Sequence, residues 1–410
     1  MSARVMITDA EERAALAACR GLESAGYRVS AVAAKRPAAA HWSRSCAARF
    51  DAPDPRDDVA AFAERLAELL AAADHAVLLP GSDASLYAIS KHRRRLDPLA
   101  RLGLPPHDVV RRALDKRTLL ELAADVGLDS PESVACVDLG DAKAAAAHIG
   151  YPVVLKPVRS FRAVGDALRQ KGVAFADGEA ALASAVPELG TPFLVQRYES
   201  AGGLFSCNGV IADGDLLGLT ASRVFRTWPV TGGMHTLAET VPIPKTLGGR
   251  VRALLHDLGW TGIFQLQMLE LDDGRYAVID LNPRVFASIT LDITAGANLV
   301  AIWCDWLLGR QPASAVAKAG FRFRWEEGEL CHFLWRLRRG ELRAAASVLR
   351  PHRRVAHAWF RLRDPAPLAA RTLGLSRRLA GQDGYRRSRG AGLPAGDRTR
   401  APERSATTAS

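Results

Sequence analysis

The chain has 410 residues, 48% of them apolar and 24% charged, with a formal net charge of +11. Those values belong to a globular protein with room for two or three domains and exclude a disordered or fibrous one. Residues 311–410 carry 21 Lys+Arg against 8 Asp+Glu, so the body is near neutral, which argues against a nucleic-acid footprint across it.

Arg4 to Thr8 reads as a buried strand, Ala10 to Ser24 as a helix and Tyr27 to Ala33 as a second strand. Asp57 to Ala73 follows as an amphipathic helix and His75 to Pro80 as a strand. This βαβαβ order predicts an open, mainly parallel sheet. A dinucleotide site would need G-x-G-x-x-G after the first strand, but T-D-A-E-E stands there, which argues against NAD or FAD. The loops at Asp9 and at Gly81-Ser82-Asp83 lie past strand ends, where such a sheet binds ligands. Capping of the following helices is the simpler reading of both.

Leu104-Pro105-Pro106 marks a boundary, and helical pattern runs from Asp108 to Asp125 through Asp115-Lys116. Asp141 to Ile149 reads as a helix and Pro152 to Val158 as a strand. Lys156 lies in that strand among apolar neighbours, and a buried ammonium is costly unless an anion meets it. Eight of the 55 basic residues are lysines, so each lysine is a marked choice. Ser206 to Ala221 reads as a hairpin turning at Asp213-Gly214-Asp215, Arg223 to Thr240 as a cationic, glycine-bearing loop before a strand, and Gly248 to Leu258 as a helix.

Thr261 to Ser288 reads as two strands joined at Asp272-Asp273-Gly274. Asp280 and Asn282 share a face of the second strand, and Pro283 stops it. Hard oxygens beside the Arg284 guanidinium suit a magnesium–triphosphate; an Asx-type turn with a surface cation is the other reading. Leu299 to Leu308 reads as a helix, and from Leu330 to Phe360 apolar residues recur at helical spacing against an arginine-rich face. Residues 381–410 lack apolar periodicity and are expected to be disordered.

Asp280-Leu281-Asn282-Pro283-Arg284 resembles the E-x-N-x-R signature of the ATP-grasp superfamily, in particular its carboxylate–amine ligase and carbamoyl-phosphate-synthase-like branch. Asp115-Lys116 with the following G-L-D-S-P, Y-P-V-V-L-K-P around Lys156, and F-L-V-Q-R-Y at Phe193 to Tyr198 resemble further family segments in the family's order. The resemblance implies that Lys116 and Lys156 bind phosphates, and that Arg159 to Val173 forms a lid using Ser160 and Gly165. Gln196, Arg197 and Tyr198 would take the adenine, with Glu199 for the ribose because Leu204 occupies the usual carboxylate position. Arg226 would sit over the acceptor or acyl phosphate as a catalytic cation, beside Arg223, Gly232 and Gly233. Gln267, Asp280 and Asn282 would hold magnesium while Arg284 stabilises the transferring phosphoryl. Gln267 and Asp280 stand where family members carry glutamates, which predicts weaker metal binding.

The fold class expected is therefore α/β, an α+β ATP-grasp arrangement. A pre-grasp parallel α/β domain (1–104) precedes two α+β subdomains clasping ATP (105–195 with the lid, 196–310), then a basic amphipathic helical extension (311–380). The expected activity is ATP-dependent activation of a carboxylate as an acyl phosphate for attack by an amine, with ATP and Mg2+ as cofactors. Alternatives are a thiol acceptor or bicarbonate chemistry, or a weakly catalytic nucleotide-binding protein docking through its basic C-terminal region. Small-molecule carboxylate and amine partners are expected, with no nucleic acid. The extension is expected to form a cover over the ligase body, while membrane-surface or acidic-partner contact through 311–410 and a homodimer stay open. Six scattered cysteines without metal-like spacing, and no apolar run of transmembrane length, make the expected location cytoplasmic.

Overall fold

The computed structural model describes residues 2–170, 172–199, 203–230, 232–313 and 316–380; the tail expected to be disordered lies outside them. The N-terminal strands Arg4–Ile7, Arg28–Ala33 and Val77–Leu79 form a parallel sheet as their order predicts, joined by a fourth strand, Ala48–Asp51, at the edge. That edge strand has no apolar run: its four residues alternate between half-buried and exposed.

The predicted helix from Asp108 to Asp125 is two helices, His107–Ala113 and Lys116–Asp125. Asp115 breaks the run because its carboxylate accepts from the backbone N–H groups of Arg117 and Thr118, capping the second helix. Lys116 is thereby the first helical residue rather than a mid-helix one.

A four-stranded antiparallel sheet follows in the order Ser133–Cys136, Phe193–Arg197, Val153–Pro157, Ala174–Ala176. One of its faces packs Val153, Leu155, Phe193 and Val195 against Ile149 and Leu182. Direct cross-strand partners share the opposite face, so Lys156, Leu194, Val154, Gln196 and Phe175 line it together. Between Lys156 and the helix Glu179–Leu189 a hairpin, Phe161–Val164 with Ala167–Gln170, turns at Gly165, whose φ of 61° favours glycine.

The central sheet has seven strands, ordered Tyr276–Asn282, Gly262–Glu270, Gly203–Ala212, Asp215–Trp228, Met234–Val241, Arg322–Arg324, Val355–His357. Two expectations are corrected by it. Arg223 and Arg226 lie on a strand, because R-V-F-R-T-W continues the alternation of the hairpin before it. The extension is not purely helical either: it adds the last two strands to the sheet besides the helices Glu326–Arg338 and Leu342–Val348. The extension also crosses to the N-terminal sheet. Asp364 accepts from Arg20 Nε at 2.9 Å, Ser43 Oγ at 2.7 Å and the Arg44 backbone N–H at 3.0 Å, and is itself buried.

Candidate active site

The hairpin of Gly262–Glu270 and Tyr276–Asn282 sets the site. Gln265 stands opposite Asn282 and Gln267 opposite Asp280, so two amides, an amide and a carboxylate share one face. The register slips just beyond Gln267, where Ile279 is the extra residue, and such a bulge re-aims the side chains next to it. Glu270 points elsewhere, into an ion pair with Arg223 at 2.7 Å.

Lys116, at the start of its helix, places Nζ 2.5 Å from Asp280 Oδ1, and both its own exposure and its neighbours mark it as buried. Lys156 approaches from the other sheet. Burial pushes its pKa down to about 8, against the pull of the Asp280 charge, while Lys116 adds repulsion. Among the described residues Lys156 makes no hydrogen bond or ion pair. Two ammonium groups around one carboxylate, one of them without a partner, suit a polyanion such as a triphosphate.

Asn282 Nδ2 donates to Gln265 Oε1 at 3.2 Å, and Arg284 Nη2 donates to Asn282 Oδ1 at 3.1 Å. Arg284 Nε also donates to Asp83 Oδ1 at 2.7 Å. Burial opposes the Arg284 charge, but Asp83, with Asp9 and Glu12 behind it, raises its pKa overall. Ser82 caps the helix that begins at Asp83, accepting from the Ser85 N–H at 3.1 Å, as the simpler reading of that loop predicts. Gly81 brings the two loops together: its N–H donates to Thr8 Oγ1 at 3.0 Å and Asp9 Oδ2 at 3.2 Å, and a Cβ there would meet Thr8 O at 2.6 Å.

Gln267 Nε2 meets His235 Nε2 at 3.1 Å. His235 is buried, not a solvated loop residue, and burial followed by the Arg13 charge lowers its pKa to about 4, so it is neutral and accepts from the amide. Gln267, Asp280 and Asn282 could offer oxygens with one carboxylate to a hard divalent ion such as magnesium, with Lys116 and Arg284 now donating to Asp280 Oδ1 and Asn282 Oδ1.

The remaining expected residues are placed as follows. Gln196 is buried with Nε2 donating to Ser133 Oγ at 2.8 Å, and Arg197 donates to Ile149 O at 2.7 Å and pairs with Glu132. Their side chains hold the strand end in place. Tyr198 is exposed and stands edge-on to Phe175 with ring centroids 5.2 Å apart; Glu199 has no partner among the described residues. Ser160 is half-buried at the base of the hairpin expected to be the lid, and Gly165 at its tip. That hairpin rests on the N-terminal residues: Leu168 N–H donates to Arg56 O at 2.7 Å, Val59 N–H to Asp166 O at 2.8 Å, and Phe161 packs edge-on to Tyr87 at 5.2 Å.

Arg226 is not brought to this cluster. Glu329 of the extension holds it in a two-pronged ion pair, 2.9 Å at Nε and 2.5 Å at Nη2, with side-chain exposures of 12% and 5%, so its charge is already neutralised. Phe175 and Glu329 carry little local signal in the sequence, since their contacts with Tyr198 and Arg226 are to residues distant along the chain.

No family model matches the chain. It is 24% identical over 220 residues, 51% of its length, to the mitochondrial arginine-specific carbamoyl phosphate synthase large chain of Neurospora crassa, spanning 19% of that protein. Among solved structures it resembles an L-amino acid ligase from Bacillus licheniformis, with a TM-score of 0.60 and 14% identity, covering 78% of each chain. It also resembles the biotin carboxylase domain of the Hydrogenobacter thermophilus 2-oxoglutarate carboxylase, solved with MgADP, ADP and bicarbonate, with a TM-score of 0.60 and 17% identity over 78% of this chain and 73% of that one. The chain thus has the ATP-grasp fold, with its mixed α/β sheets, as the signature at Asp280 to Arg284 implied.

Proposed function

We propose that the chain is an ADP-forming ATP-grasp ligase that activates a carboxylate as an acyl phosphate for attack by an amine. The observation that carries this is the meeting of Lys116 and Lys156, from separate elements, at Asp280 beside Asn282 and Arg284. Lys116 and Lys156 bind the phosphates, and Gln196 to Tyr198 with Phe175 form the adenine end of the cleft. Glu199 serves the ribose, and Ser160 and Gly165 belong to the lid. Asp280, Asn282 and Gln267 would hold a magnesium ion, which neutralises phosphate charge in such transfers. Arg284, which Asp83 holds beside Asn282, stabilises the transferring phosphoryl and the acyl phosphate. Arg226 acts through Glu329 to fix the extension rather than on the reacting atoms. Residues 1–104 serve as the pre-grasp unit and 105–310 as the grasp itself.

A screen of ADP release with ATP, magnesium and a panel of carboxylates, against amines, thiols and bicarbonate as second reactant, tests this. Amine-dependent release abolished in Lys156→Met supports it; release that responds to thiols or bicarbonate alone transfers the fold to the alternative chemistry. Release with no reactant in the panel would leave only a nucleotide-binding role.

A second property has its own support. Leu330, Leu334 and Leu337 are 57%, 40% and 44% exposed on one stripe of the helix Glu326–Arg338, and residues 330–363 hold nine arginines against Glu341 alone. We take this face as a peripheral contact for an anionic membrane surface or an acidic partner. No helix among the described residues is long and apolar enough to cross a membrane. With six unpaired cysteines, cytoplasmic placement fits this reading.

A further inference from the structure

Arg13, the first residue of the helix Arg13–Ser24, is 6% exposed yet has no acidic partner within ion-pair distance among the described residues. Its Nη2 contacts only the sulfur of Met234, at 3.2 Å, its guanidinium lies 3.9 Å over the Trp325 ring, and its buried Nη1 has no hydrogen-bond partner. The acids around it are already engaged. Glu327 is bound by Arg371 at 2.7 Å, and Glu326 accepts from the backbone N–H groups of Trp359 and Phe360. Glu12, exposed, precedes the helix without capping it by a side-chain hydrogen bond. A buried cation without a counterion is costly, and guanidinium geometry is matched by an oxyanion.

Its position ties it to the site. Arg13 touches Met234, the strand neighbour of His235; His235 contacts Gln267, which stands opposite Asp280. A group bound at Arg13 therefore lies an imidazole and an amide away from the phosphoryl-transfer centre.

We propose that Arg13 receives a second oxyanion, a carboxylate or phosphate carried by one of the two substrates away from its reacting group. The assignment rests on the ligase reading for the word substrate, but the anion site itself does not. One substrate is then either an amino acid acting through its amine or an acid with two acidic groups.

Titration calorimetry of the full chain with succinate and with inorganic phosphate, ADP and magnesium present, reads the site without turnover. Saturable binding is expected, weakened about tenfold or more in Arg13→Gln and partly restored in Arg13→Lys. ADP release then compares amino acids with the same amines lacking the carboxylate, and dicarboxylic with monocarboxylic donors. The wild type should favour one acid-bearing member through KM, and Arg13→Gln should erase that preference with kcat for the plain member retained. Binding absent from the wild type, or equal in Arg13→Gln, overturns the proposal. So does a loss of turnover in Arg13→Gln that falls equally on both members of each pair. Binding that depends on Arg13 without any ADP release would instead sink the ligase reading and keep the anion site.

Discussion

At the level of single residues, the site depends on who neutralises whom. Lys156 has no partner among the described residues, so Lys156→Met should weaken ATP binding by roughly tenfold or more, read by nucleotide titration, while leaving the melting temperature nearly unchanged. Gln267→Glu adds the second carboxylate and should lower the magnesium concentration needed for half-maximal ADP release; an unaltered requirement would remove Gln267 from the metal set. Asp292 gives a prediction about pH. It is fully buried, accepts from Thr220 Oγ1 at 2.5 Å, and burial raises its pKa to about 7 despite that bond and one from Asn208. The folded chain keeps this proton while the unfolded chain releases it near pH 4, so stability is full below that and falls as pH rises toward 7. Asp292→Asn should therefore lose that slope and melt above the wild type at pH 8, measured by calorimetry across pH 5 to 8. Asn208 Oδ1, unpartnered where it stands, is the natural acceptor for a protonated Asp292 if the amide is turned over.

Elements show what was legible in the sequence. The signature hairpin could be read because period-two alternation, a D-D-G turn and a stopping proline are local facts, whereas the cross-strand register of Gln267 with Asp280 depends on the bulge at Ile279, which they do not show. Lys156 stood out for the same reason: an ammonium within an apolar strand is anomalous whatever surrounds it. Arg226 reads as a loop cation in the sequence because its partner, Glu329, is 103 residues away and nothing local shows that it is taken. The break before Lys116 was missed since apolar spacing runs straight through a cap. Asp364, in the D-P-A-P run, is the clearest element-scale test. It and Arg20 have side-chain exposures of 7% each, so Asp364→Ala leaves a buried arginine uncompensated and should cost about 3–5 kcal/mol in chemical denaturation. It should also make the chain after 357 sensitive to limited proteolysis, and a change below about 1 kcal/mol would show that the packing around Trp359 holds the extension instead.

For the whole molecule, charge and apolar exposure are concentrated in the extension. Co-sedimentation with vesicles containing phosphatidylserine should capture the full chain at low salt and release it as salt rises. Leu334→Glu combined with Leu337→Glu should reduce capture severalfold without altering ADP release. Capture by neutral vesicles to the same extent would contradict the electrostatic part, and capture by neither would favour an acidic protein partner for the same face.

The extension also completes the central sheet, with Arg322–Arg324 hydrogen-bonded along Met234–Val241 and Val355–His357 outside it. A chain stopped after residue 310 would leave the backbone of Met234–Val241 open on that side, beside Phe225 and Met234, already 51% and 53% exposed. Unpaired strand margins recruit other strands. The shortened protein is therefore expected to self-associate or precipitate rather than survive as a minimal catalytic fragment, so dissecting this chain calls for point substitutions instead of cuts.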